Sequence, residues 1–172
     1  MAATLYTVDS DASRVVATAT SSVHDTSATL GPMSGTIEAD VDALGEEGKV
    51  SLSIEVDLTT ADAGDFLRTR KLRGDIDARR YPRATFAITR VVDLTREDDG
   101  RFQATGEGIL SWRDRELEIR PSGSGRIDAR RVEATATFSL DIRDFGVEPP
   151  KFLMLKVDPV VSVEVSLVAV AG

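Results

Sequence analysis

Polar and apolar residues alternate with a period of two along most of this chain. Between 132 and 142, Val132, Ala134, Ala136, Phe138, Leu140 and Ile142 fall on one face, with Glu133, Thr135, Thr137, Ser139 and Asp141 on the other. That is the pattern of a strand with one dry and one wet side. Val50, Leu52, Ile54, Val56 and Leu58 alternate in the same way, as do Val161, Val163, Val165 and Leu167. Further strands are predicted at 5–8, 14–20, 33–41, 84–92, 101–112, 116–120 and 125–129. Turn-forming residues at Gly31-Pro32, 44–48, 97–100, Arg113-Asp114 and 121–125 separate most of them. Eight to ten antiparallel strands joined by hairpins make an all-β barrel or sandwich. One stretch, 63–73, reads as a short helix: Asp62 as N-cap, Asp65 in the first turn, Lys71 and Arg73 in the last, and Gly74 as the stop. A parallel βαβ fold is disfavoured by that scarcity of helix. No linker or repeat divides residues 1–172, so a single domain is expected.

The predicted inward face carries many small residues: Ala17, Ala19, Ala39, Ala104, Gly106, Gly108, Ala134 and Ala136. An eight-stranded barrel is wide enough either to be filled by large side chains or to hold one ligand, and small linings favour the ligand. The same residues also suit a dry core in which they interdigitate with Phe86, Ile88, Phe102, Phe138 and Leu140.

Composition narrows the chemistry. The net charge of −8 disfavours nucleic acid and, over most of the molecule, anionic membranes. With no cysteine there is neither disulfide nor thiolate. The lone histidine, His24, reads as solvated or structural, and no spacing of a metal site, phosphate loop or nucleophile elbow occurs. Hence no enzyme, metal or cofactor is expected. The N-terminus lacks the basic and apolar regions of a signal peptide, so a cytoplasmic location is expected. No apolar run is long enough for a transmembrane helix. One asymmetry stands out: Arg68, Arg70, Lys71, Arg73, Arg79, Arg80 and Arg83 face only Asp75 and Asp77 between 68 and 83, a local +5 that leaves −13 elsewhere.

Three stretches resemble the YceI-like polyisoprenoid-binding family: 5–15, opening Leu5-Tyr6-Thr7-Val8-Asp9; 72–86, with Tyr81-Pro82 and Thr85-Phe86; and 138–147, with Asp144-Phe145-Gly146. The resemblance implies an extended, lipocalin-like, eight-stranded antiparallel barrel with a helix near one end. It implies an apolar lipid of polyprenyl or isoprenoid-quinone type as the bound partner, for transport or storage. The lining residues expected are Ala17, Ile37, Leu52, Ile54, Val56, Phe66, Leu67, Phe86, Ile88, Phe102, Leu110, Phe138, Leu140, Phe152, Leu153, Val163 and Val165, with Arg70 and Arg73 as head-group contacts. The segment 151–156 reads as a gate or as a strand or hairpin. A homodimer is compatible with these features. The competing function is a structural or stress-related interaction module with a packed barrel and a basic partner surface at 68–83.

Overall fold

A two-residue repeat gives each strand one apolar face, and an antiparallel sheet that curls onto that face buries it without leaving long open edges. The computed structural model describes residues 3–21, 25–44, 50–148, 151–152 and 155–172. Its strands are β1 (Thr4–Val8), β2 (Arg14–Ser21), β3 (Thr26–Leu30), β4 (Met33–Ala39), β5 (Val50–Asp57), β6 (Arg83–Arg96), β7 (Arg101–Trp112), β8 (Arg115–Ile119), β9 (Ser122–Ile127), β10 (Arg131–Asp141), β11 (Lys151–Phe152) and β12 (Leu155–Ala171). The helix α1 (Phe66–Asp75) lies between β5 and β6.

Hydrogen-bonded neighbours run β1-β4-β5-β6-β7-β9-β10-β12, and β1 pairs with β12 to close a ring of eight antiparallel strands. The closing register sets Tyr6 opposite Ala171 and Val8 opposite Ala169. Beyond a 3-10 turn at Ser10–Ala12, β2 continues the path of β1 and pairs with the upper part of β12, with β3 on its far side. In the same manner β8 and β9 follow one another along β7. The result is a set of long, bent strands. The helix, the β7–β8 turn and the β10–β12 connection share the upper end, while both termini and the β6–β7 and β9–β10 turns share the lower.

Three elements depart from the sequence expectation. The helix begins at Phe66 rather than 63, because the Asp65 carboxylate accepts the Arg68 N–H at 2.8 Å and caps it, whereas Asp62 accepts the N–H of Gly64 and shapes the preceding loop. It also runs through Gly74 to Asp75 instead of stopping there. Thr26–Leu30, not predicted as a strand, pairs with β2, its apolar alternation being only Ala28 and Leu30. Finally, 121–125 is largely strand and not turn. At Gly125 an added Cβ would lie 2.0 Å from the Glu133 carbonyl oxygen, so β9 and β10 approach at a distance only glycine permits. Residues 151–152 form a short pair with β12. No helix among the described residues is long and apolar enough to cross a membrane.

The main apolar cluster packs the lower part of the barrel and reaches up to Met33, opposite Val56 on β5. Tyr6, Met33 and Ala169 are almost wholly buried, with Val8, Ile37, Ala39, Leu44, Ile127 and Val132 around them. Tyr6 satisfies its hydroxyl by donating to the Asp128 carbonyl in the β9–β10 turn at 2.6 Å. Burial pushes the Tyr6 phenol above its usual 10.0, a hydrogen bond with the Thr4 side chain opposes this, and the nearby Asp128 charge adds to it. Folding therefore favours the protonated phenol. Its contribution to stability is complete below about pH 10 and is lost as pH rises through the higher folded-state value. Tyr6→Phe should cost about 1 kcal/mol at neutral pH in urea unfolding. The wild-type advantage should then shrink above pH 10; an advantage that stays constant into alkali would refute this assignment.

Candidate ligand cavity

Barrel closure fixes the width of the bore, and the inward side chains decide how much of it is filled. Ala17, Ala19, Ala39, Ala104, Gly106, Ala134 and Ala136 all line it, as the alternation predicts. Gly108 does not: a Cβ there would sit 2.1 Å from the Ala87 carbonyl oxygen, next to the irregular step between Ile88 and Arg90. What remains is a cavity of about 1280 Å³, reaching from Leu44, Ile127 and Val132 below to Phe66, Ile142 and Asp158 above. It exceeds the ~300–1,000 Å³ of ordinary small-molecule pockets.

Ala17, Ile37, Leu52, Ile54, Val56, Phe86, Ile88, Phe102, Leu110, Phe138, Leu140, Val163 and Val165 stand on its wall, and Phe66 and Leu67 at its upper mouth. The upper wall is exposed in a telling way. Phe86, Leu110, Phe138 and Leu140 point inward yet are only half-buried, because they face open bore instead of other side chains. Phe86 and Phe138 do meet across it, stacked with ring centroids 6.3 Å apart, and narrow the passage. Leu153, the side chain of Phe152, and His24 lie outside the described residues.

Arg70 and Arg73 are not on the wall. With 3.6 residues per turn, Leu67, Arg68, Lys71, Leu72 and Asp75 share the stripe of α1 that faces the bore, which turns Arg70 and Arg73 to the other side. Arg73 instead donates its Nε–H to the Ala61 carbonyl at 2.9 Å. The cations at the mouth are Arg68, paired with Asp65 at 3.4 Å, and Lys71, paired with Asp75 at 3.1 Å. Among the described residues no three His, Cys, Asp or Glu side chains gather as metal ligands. Such a site offers an apolar tube with its charged groups confined to one end. It suits a long hydrocarbon body whose polar end stays near the helix.

Sequence reasoning missed the residues that hold the upper rim. Arg113 sits with Asp114 in the β7–β8 turn, both at positive φ, and was legible only as a turn residue. Its guanidinium lies 4.8 Å from the Tyr81 ring centroid and 5.6 Å from that of Trp112. It donates to the Phe145 and Ile76 carbonyls, both at 2.9 Å, while the Trp112 and Phe145 rings pack 5.4 Å apart. One side chain thus ties the end of α1, the Tyr81 loop and the 3-10 turn Ile142–Phe145 to the barrel. That 3-10 turn is itself capped by Asp141, whose carboxyl is held below its usual range by hydrogen bonds from the Arg143 guanidinium and backbone N–H.

Residues 6–169 match the YceI-like domain family. No curated protein matches the sequence. Among solved structures, BcnA of Burkholderia cenocepacia superposes with a TM-score of 0.72 at 19% identity, covering 94% of this chain and 98% of its own. A polyisoprenoid binding domain from Saccharophagus degradans, implicated in plant cell wall breakdown, gives 0.69 at 15% identity, covering 97% and 98%. The Campylobacter jejuni YceI protein gives 0.64 at 13%, covering 84% of each. At these identities the likeness is one of fold.

Arg113→Lys keeps the charge but not the planar fork that reaches two carbonyls at once. It should lower stability by roughly 1–3 kcal/mol in denaturant unfolding. Amide exchange should quicken at Phe145, Gly146 and Val147; unchanged exchange there would show that the rim does not depend on this contact.

Proposed function

The chain belongs to the YceI-like domain family, and from that premise we propose that it binds an apolar isoprenoid lipid, of polyprenyl or prenyl-quinone type, in its bore without catalysing a reaction. The apolar cavity of about 1280 Å³, open beside α1, is the observation that carries this reading. The Saccharophagus degradans neighbour is a polyisoprenoid binding domain, which agrees with it. Ala17, Ile37, Leu52, Ile54, Val56, Phe86, Ile88, Phe102, Leu110, Phe138, Leu140, Val163 and Val165 would touch the chain, and Phe66 and Leu67 its upper part.

Burial suffices as a driving force. At about 0.8 kcal/mol per methylene, ten enclosed groups contribute roughly 8 kcal/mol, a micromolar affinity before ordering costs. A tube lined almost wholly by apolar groups sets few demands on the guest beyond width, which suits the repeating, branched outline of a prenyl chain. The competing reading of a solid barrel has less support, since the side chains of the described residues leave the bore open.

Native mass spectrometry of gently purified protein should show an apolar adduct, and polyprenol delivered from cyclodextrin should be taken up. Ala136→Phe places a ring into open space rather than into a packed core, so the fold should survive while uptake falls at least about tenfold. Ala104→Leu should do the same more mildly. Full uptake by both folded variants, or no uptake by the wild type, would overturn the reading.

A further inference from the structure

The mouth of the bore carries an apolar tip that none of the described residues covers. Phe66 and Leu67, the first two residues of α1, are each 75% exposed. Both also line the cavity, so this oily tip is continuous with the bore. Arg70 lies one turn along the helix from both, and Arg73 one turn further, on the side turned away from the cavity. Seven exposed basic residues, Arg68 to Arg83, crowd this helix and the loop after it. Among the described residues Arg70, Arg73, Arg79 and Arg80 make no ion pair.

We propose that this end of the barrel docks on an anionic lipid bilayer, with Phe66 and Leu67 inserted at the headgroup–acyl boundary and Arg70 and Arg73 against lipid phosphates. Two exposed apolar side chains beside unpaired cations form the pattern of a shallow interfacial anchor. The net charge of −8 does not oppose it. The helix and the loop after it carry the local +5, and the carboxylates on this helix, Asp65 and Asp75, are paired with Arg68 and Lys71. With a Debye length of about 8 Å at physiological salt, the charges nearest the bilayer govern its attraction. Docking in this orientation places the cavity mouth on the lipid surface, so a hydrocarbon chain passes between bilayer and bore without crossing water. Charge alone fits an acidic protein equally well; the two apolar residues at the entrance of an apolar cavity favour lipid.

The inference rests on the lipid-binding reading for its purpose, but the two fail separately: attachment is measured with vesicles, and uptake with polyprenol delivered from cyclodextrin. Full-length protein is sedimented with sucrose-loaded vesicles of phosphatidylcholine, with and without about one third phosphatidylglycerol. The wild type should sediment with the anionic vesicles, less with neutral ones, and less at high salt. Phe66→Ser/Leu67→Ser should weaken partitioning at least about tenfold, and Arg70→Glu by about tenfold. Arg131→Glu, the same charge change at the lower end, should have little effect. Because all these side chains are exposed, circular dichroism and thermal melts should match the wild type. If the wild type ignores anionic vesicles, the proposal is overturned and the patch is left to an acidic protein; equal binding by folded patch variants and wild type overturns it as well.

Discussion

The width of the bore is set by backbone pairing, and the side chains pointing into it are too small to fill it. Eight closed antiparallel strands enclose a space that branched and aromatic residues would just occupy. Here Ala104, Gly106, Ala134 and Ala136 stand on neighbouring parts of the wall instead. If this space were charged at the rate of a cavity cut into a packed core, about 24 cal/mol per Å³, its volume of about 1280 Å³ would come to roughly 30 kcal/mol. A whole domain is stable by only about 5–15 kcal/mol. The bore is therefore no defect in a packed core. It is open to solvent or guest at its upper end, and the hydrogen-bonded ladders carry the structure around it.

Those ladders need fixed ends, and the two ends are fixed by different physics. Below, the apolar core packs around the fully buried Tyr6, whose hydroxyl reaches across to the β9–β10 turn, and the β1–β12 register closes the ring beside it. Above, a smaller apolar cluster around the wholly buried Phe145 packs beside Trp112, and a cation ties it to its surroundings. Arg113 spans Tyr81, Trp112, Phe145 and Ile76. A planar, delocalised guanidinium both stacks on rings and donates in two directions, which a lysine does not do. The barrel is thus plugged at one end and braced at the other.

Much of this was legible in the sequence, and the reason is periodicity. Alternation over 132–142 and 50–58 fixes which residues face inward whatever the tertiary details, so the wall positions of Phe138, Leu140, Leu52 and Ile54 followed from parity alone. Parity was silent where the pattern is weak or the geometry is non-local. Thr26–Leu30 has too few large apolar residues to register as a strand and is one only because β2 presents an edge to it. Gly123 and Gly125 look like turn residues until β10 is known to press against them. Placing head-group contacts at Arg70 and Arg73 required the phase of the helix relative to the bore, which depends on packing at the barrel end; Arg68 and Lys71 took the wall. Arg113 was unreadable for the same reason, since its partners lie more than thirty positions away in the chain.

The motifs that carry the family resemblance prove to be mostly structural. Tyr6 plugs the lower end, while Tyr81 and Phe145 meet at Arg113, and Gly146 adopts the left-handed conformation that ends the 3-10 turn, where a side chain would approach the Arg115 guanidinium at 3.1 Å. Phe86 is the exception, on the wall and stacked with Phe138. Residues that close and brace a barrel constrain its architecture but not the shape of its interior. Wall positions such as Ala104 and Ala136 set the width of the bore, and a single added ring there narrows it without touching either end. Structures at 13–19% identity share this fold. The space inside this barrel is written in the size of its inward residues, not in the motifs that carry the family resemblance.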